Sequence, residues 1–122
     1  MANLRICLGV EVHCGKEHAA AHGLPGMWQT LEALPRPSWP TFVRGDCGYG
    51  SERLMEQFES RQLPYLFKLR HTLKVKILVQ QMMRAGAGWQ DCGAGWEVME
   101  ATLRLSGWTR ERRVVLVREA PA

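Results

Sequence analysis

One carboxylate in this chain stands where chemistry is easiest to build. Asp46 lies in the run Arg44-Gly45-Asp46-Cys47-Gly48-Tyr49-Gly50-Ser51-Glu52, after the apolar pair Phe42-Val43 and before a helix-like pattern. In α/β sheets, ligands bind beyond the carboxyl ends of strands. An Asp on a tight turn there can reach a cation without burying an unpaired charge, and Mg²⁺ takes one or two such carboxylates together with waters or phosphate oxygens. Gly45 and Gly48 would let the backbone bend sharply around it. The plain alternative is an Asx-type turn that opens the following helix. The glycine spacing is neither that of a Walker loop nor that of a dinucleotide fingerprint.

Other candidates carry less. Cys14, His18 and His22 recur at i, i+4, i+8, a spacing that would put soft ligands on one helix face for zinc, but a fourth ligand is not evident and Gly15 and Gly23 weaken the helix. Hydrogen-bonded structural histidines are the bland reading of the same residues. Cys47 adjoins Asp46, and a neighbouring carboxylate raises a thiol pKa, which disfavours a nucleophile. Trp89, Trp96 and Trp108 could stack bases, although Trp in a β-hairpin is more often core. Cations are unevenly spread. Between Ser60 and Gln90 the sequence has six Lys or Arg residues and no Asp or Glu. Within that window Lys68, Arg70, Lys74, Lys76 and Arg84 are the candidate contacts to an anionic partner, nucleic acid being the commonest, against the alternative of a solvated helix face.

The elements that must hold these residues are legible from periodicity. Residues 4–13 alternate, with Leu4, Ile6, Leu8, Val10 and Val12 on one side, as a half-buried strand does. Ala19 to Leu34 reads as a helix with an awkward start, since Gly23, Pro25 and Gly26 lie inside it, and a helix beginning near Pro25, with Met27, Leu31 and Leu34 on one face, is preferred. Pro35, Pro37 and Pro40 mark a loop, and the absence of proline from Thr41 to Arg44 allows a central strand. Ser51 is a plausible N-cap for a helix with Leu54, Met55 and Phe58 as its apolar stripe. Pro64 ends it, Tyr65–Leu69 is the next strand, and 72–84 is a helix with Val75, Leu78, Val79 and Met82 inward. Strand, helix, strand, helix with short connections is an α/β layer. Beyond Gly86 the pattern changes. Met99, Ala101, Leu103 and Leu105 alternate with polar neighbours, Ser106-Gly107 turns, and Val114–Val117 follows, which reads as an antiparallel hairpin.

Composition bounds the class. The chain has 122 residues, 46% hydrophobic and 23% charged, with a formal net charge of +4, which is globular and mildly basic. No apolar run approaches a membrane span, and the first residues lack a signal peptide's pattern, so a cytoplasmic protein is expected. The four cysteines form no CxxC pair and are expected to be free thiols.

Taken together, these stretches resemble a known family. The run from Phe42 to Glu52 looks like the second catalytic strand of bacterial insertion-sequence transposases of the DDE type, whose members commonly carry Arg-Gly-Asp-Ser-Gly-Phe-Gly there. Here Cys47 stands for the usual Ser and Tyr49 for the usual Phe. Leu8–Val12 with Gly15-Lys16-Glu17-His18 is similar to the family's strand and Gly-Asn-Thr-His turn. Arg112–Glu119 looks like the basic strand of its β-rich insertion. The resemblance spans roughly residues 4–119.

The resemblance implies an α/β fold, a partial RNase H-like mixed sheet with flanking helices followed by a β-hairpin insertion. It divides the chain into 1–85, a partial catalytic core, and 86–122, a β-rich insertion segment that looks truncated. In the family three carboxylates hold two divalent metals, Mg²⁺ or Mn²⁺, for cleavage and strand transfer of transposon-end DNA. Asp46 maps onto the second carboxylate, as catalytic residue and metal ligand. The first would fall before residue 4 and the third after the insertion, in a Tyr-Arg-Glu-Lys pattern that is not found. The expectation is therefore an internal fragment that holds metal weakly, does not cut DNA alone, and self-associates through an exposed sheet edge. The competing reading is a small basic nucleic-acid-binding module without catalysis, using the cationic window and the three tryptophans.

Overall fold

The computed structural model describes residues 19–46 and 49–121. The chain divides into two compact units, Met1–Leu69 and Arg70–Ala122. The strand expected over residues 4–13 lies outside the described residues.

The first unit runs α1 (Ala19–Glu32), a 3-10 turn (Arg36–Ser38), β1 (Val43–Gly45), α2 (Glu52–Ser60) and β2 (Tyr65–Phe67). α1 begins well before Pro25 and carries that proline inside it. Proline removes one helical hydrogen bond. Two terms offset this loss: an alanine-rich first turn with the best helix propensity, and burial of Leu24, Trp28 and Leu31 on one face at 2%, 4% and 3% exposure. Met27 is half-buried beside this stripe, so the inward face lies slightly round from the Met27–Leu31–Leu34 face that spacing alone suggests.

α2 buries Leu54, Met55 and Phe58 as its periodicity requires. Ser51 occupies the N-cap with extended backbone, though its side chain makes no capping hydrogen bond. The helix stops at Ser60, ahead of Pro64, because the chain reverses in a Schellman motif. The Leu63 N–H donates to the Phe58 carbonyl at 3.0 Å and the Gln62 N–H to the Glu59 carbonyl at 3.1 Å, with Gln62 left-handed at φ 53°. Arg36 then covers this helix end, donating from Nη1 and Nη2 to the carbonyls of Arg61 (2.7 Å) and Gln62 (2.9 Å). Phe58, fully buried, lies at the centre of the core. Trp28 meets it edge-on at 4.7 Å, Phe67 at 5.0 Å and Tyr65 at 5.8 Å.

The second unit holds α3 (Leu73–Arg84) and an antiparallel sheet of β3 (Gln90–Gly93), β4 (Trp96–Leu103) and β5 (Arg112–Glu119), in that order. The hairpin expected from the sequence is β4–β5. β3 was not anticipated, because Gln90-Asp91-Cys92-Gly93 is too polar and short to show alternation. It is joined to β4 by Gly93, Ala94 and Gly95, all at positive φ. Directly opposed residues share a face. One sheet face therefore carries Glu97, Met99, Ala101 and Leu103 with Arg112, Val114, Leu116 and Arg118, and the other carries Trp96, Val98, Glu100 and Thr102 with Arg113, Val115, Val117 and Glu119. The first face is the packed one. Leu103 and Arg112 are buried, and α3 is tied to this side through Lys74 Nζ on the Arg104 carbonyl and Arg118 Nη1 against Met83 Sδ. α3 turns Val75 and Met82 inward, with Leu78 and Val79 half-buried.

The described chain is thus an α/β protein with one parallel and one antiparallel sheet.

Candidate nucleic-acid and metal site

β1 and β2 are parallel, with Val43 opposite Tyr65, Arg44 opposite Leu66 and Gly45 opposite Phe67. The Val43 N–H donates to the Pro64 carbonyl at 2.9 Å and the Lys68 N–H to the Gly45 carbonyl at 3.2 Å. Parallel pairing brings both carboxyl ends to the same edge, so Asp46, one residue beyond β1, and Lys68, one residue beyond β2, leave the sheet side by side. This is the edge at which α/β sheets bind ligands. Both residues are exposed.

The turn after β1 is closed through backbone. The Tyr49 N–H donates to the Asp46 carbonyl at 3.1 Å, and the Tyr49 ring then packs on Phe67 with centroids 5.6 Å apart. Gly45 is essential to this closure for a reason different from the sharp bend expected of it. Its φ is not in the left-handed region; instead, a Cβ there would lie 2.8 Å from Phe67 Cδ1 and 2.9 Å from Tyr49 Cδ2 and Cγ. The glycine makes room for two rings that clamp the turn, and so sets where Asp46 leaves the strand. Gly48 and Cys47 lie outside the described residues, as do Cys14, His18 and the His22 side chain.

The five expected cations are divided between the two units. Lys68 belongs to the first unit; Arg70, Lys74, Lys76 and Arg84 belong to the second. All are exposed. Lys76 and Arg84 lie roughly two turns apart on α3. Lys74, at the start of the helix, reaches the Arg104 carbonyl. That contact brings the Arg104 backbone to the N-terminal end of α3, a neighbour that sequence separation conceals, while Arg104 Nε donates to the Trp108 carbonyl at 3.1 Å.

Two of the three tryptophans are covered by arginines of their own unit. Arg118 lies over Trp89 at 3.7 Å from the ring centroid, while Trp89 Nε1 donates to the Met82 carbonyl. Trp108 is buried at 8% exposure beneath Arg112 at 5.1 Å. The arginines of the basic strand therefore serve the unit's own packing on this face. Trp96 alone of the three is exposed.

Among the described residues no three His, Cys, Asp or Glu side chains come together as a metal site. Asp46 supplies one carboxylate, and a two-metal phosphoryl-transfer centre needs several. The described residues therefore do not by themselves make up such a centre. No described helix is long and apolar enough to cross a membrane.

The family model for the transposase DDE domain matches residues 4–115. The chain belongs to the DDE transposase domain family, whose members cleave and transfer DNA in transposition with divalent metal ions. No curated protein and no solved structure matches it.

Proposed function

We propose that this chain is an internal part of the catalytic domain of a bacterial insertion-sequence DDE transposase, carrying the second catalytic strand and part of the β-rich insertion. The observation that carries the reading is the position of Asp46, one residue past β1 at the carboxyl edge of a parallel strand pair. In this reading β1 and β2 belong to a partial RNase H-like core over residues 1–85, and 86–122 is the insertion segment. Asp46 is the metal-ligating carboxylate, for Mg²⁺ or Mn²⁺. Lys68, Arg70, Lys74, Lys76 and Arg84 face the phosphate backbone of transposon-end DNA. Binding is then electrostatic and weakly specific, falling steeply with salt. The protein acts in the cytoplasm, where its DNA is.

Because Asp46 is the only one of the family's three carboxylates matched in this sequence, the 122-residue chain is expected to bind DNA without cutting it. Nicking of supercoiled plasmid in Mg²⁺ or Mn²⁺ is the test. Metal-dependent cleavage that disappears in Asp46→Ala would overturn the inactivity while supporting the site. Electrophoretic mobility shifts across a salt series test the DNA contact. Replacing Lys76 and Arg84 by Gln should flatten the slope of log K against log salt by about one to two. An unchanged slope removes α3 from the interface.

A further inference from the structure

The antiparallel sheet of the second unit has two edges, and they are built differently. β3 is four residues long, loses register against β4 between Asp91 and Gly93, and ends in a run of positive-φ residues. A short, bulged edge is a poor template for further pairing. β5 is the other edge. It runs eight residues from Arg112 to Glu119 without a proline and without a register shift against β4. Among the described residues no strand pairs with its outer side. On the sheet face away from α3, Val115 and Val117 are 40% and 53% exposed, beside Trp96 at 43%. A long, regular edge with exposed valines is a template for another strand.

We propose that β5 pairs antiparallel with β5 of a second copy of this chain, about a twofold axis through Leu116, joining two three-stranded sheets into one of six strands. The charges on the strand choose both the partner and the register. With Leu116 opposite its symmetry mate, Arg113 of each copy opposes Glu119 of the other, and Val115 opposes Val117, each pair occurring twice. All four residues lie on one continuous face, because an even register keeps like faces together. The Glu100 carboxylate engages Arg113 through Nε and Nη2, so Nη1 is not part of that pair. Moving the axis to Val115 would set Arg112 against Arg118 twice, a like-charge clash. Moving it to Val117 would take Arg113 past the end of the partner strand and lose both ion pairs. Odd registers would join the packed face of one sheet to the open face of the other. Arg112 and Arg118, which turn inward, do not oppose this pairing, since each is already held over a tryptophan of its own copy. The arrangement is isologous and closes as a dimer, with only the two bulged β3 edges left outside.

The pairing asks nothing of Asp46 or of DNA, so it stands or falls apart from the functional reading above. Sedimentation velocity of the 122-residue chain between about 1 and 100 µM tests it, a range matched to micromolar association. The expected result is a monomer–dimer equilibrium. Val117→Lys, at an exposed position, sets a lysine against Val115 at both symmetric sites and should raise the dissociation constant by about tenfold or more. Val115→Glu should weaken association similarly. The double variant Val115→Glu/Val117→Lys pairs Glu with Lys across the axis twice and should restore it. Glu119→Arg, which sets two arginines opposite each other, is a second weakening variant should Val117→Lys fail to keep its circular dichroism spectrum. A monomer throughout the range, a dimer indifferent to Val117→Lys and Glu119→Arg, or no restoration in the double variant would each overturn the proposal.

Discussion

Gly45→Ala is the substitution whose effect can be worked most directly from the structure. A methyl group there meets Phe67 Cδ1 at 2.8 Å and Tyr49 Cδ2 and Cγ at 2.9 Å, against a relaxed carbon–carbon separation of about 3.5–4.0 Å. Phe67 has nowhere to retreat, because it packs on Tyr65 at 4.7 Å and on the fully buried Phe58 at 5.0 Å. Tyr49 must therefore swing away, breaking its contact with Phe67 and loosening the turn that the Asp46 carbonyl closes. Overpacking of this kind costs about 1–3 kcal/mol. Urea unfolding followed by tryptophan fluorescence, in which Trp28 and Trp39 report on this unit, should show the midpoint falling by about 1 M, given slopes of about 1–3 kcal/mol per M. The cost should fall by more than half in a Tyr49→Ala background, because two of the three close contacts are with Tyr49. A Gly45→Ala protein within about 0.5 kcal/mol of the parent, a size typical of unconstrained surface sites, would refute the steric argument. So would an equal cost with and without the tyrosine ring.

Three further outcomes are expected. Arg36→Ala removes two hydrogen bonds to the end of α2 and a guanidinium lying 4.3 Å over Trp39, and should cost about 1–2 kcal/mol in the same unfolding assay. Arg36→Lys should recover little of it, because a point charge cannot span both carbonyls. Gln62→Gly should raise the unfolding midpoint, by about 0.5–1 kcal/mol in stability, because φ 53° strains a residue with a Cβ and suits glycine; a lower midpoint would contradict the Schellman assignment. Hydrogen bonding from Arg113 holds the Glu100 carboxyl below the ordinary glutamate range. A depressed folded-state pKa contributes stability that is complete above the ordinary range and lost as pH falls through the folded value. Side-chain carboxyl NMR titration should show Glu100 low in the parent and returned to the ordinary range in Arg113→Gln.

The amino-acid sequence determined the elements whose periodicity coincides with their burial. α2 is one: Leu54, Met55 and Phe58 repeat at helical spacing and are the residues buried. α3 and the β4–β5 hairpin follow the same rule, the hairpin because Met99, Ala101 and Leu103 alternate as a two-sided sheet requires. The Asp46 motif was legible because chemistry-bearing residues cluster in sequence around one strand end. What the sequence left open depended on partners distant along the chain. α1 runs through Pro25 because Leu24 and Trp28 gain more by burial than the missing hydrogen bond costs. β3 exists because β4 supplies its ladder. Arg112 and Arg118, which a linear reading places only in a basic strand, lie over Trp108 and Trp89 of their own unit. Gly45 shows the division most clearly. Its identity is in the sequence, but the need for it is set by Tyr49 and Phe67, two rings that meet only when β1 and β2 pair. Local pattern is enough where a residue's role depends on its own element. Where the role depends on what packs against it, only the tertiary structure decides.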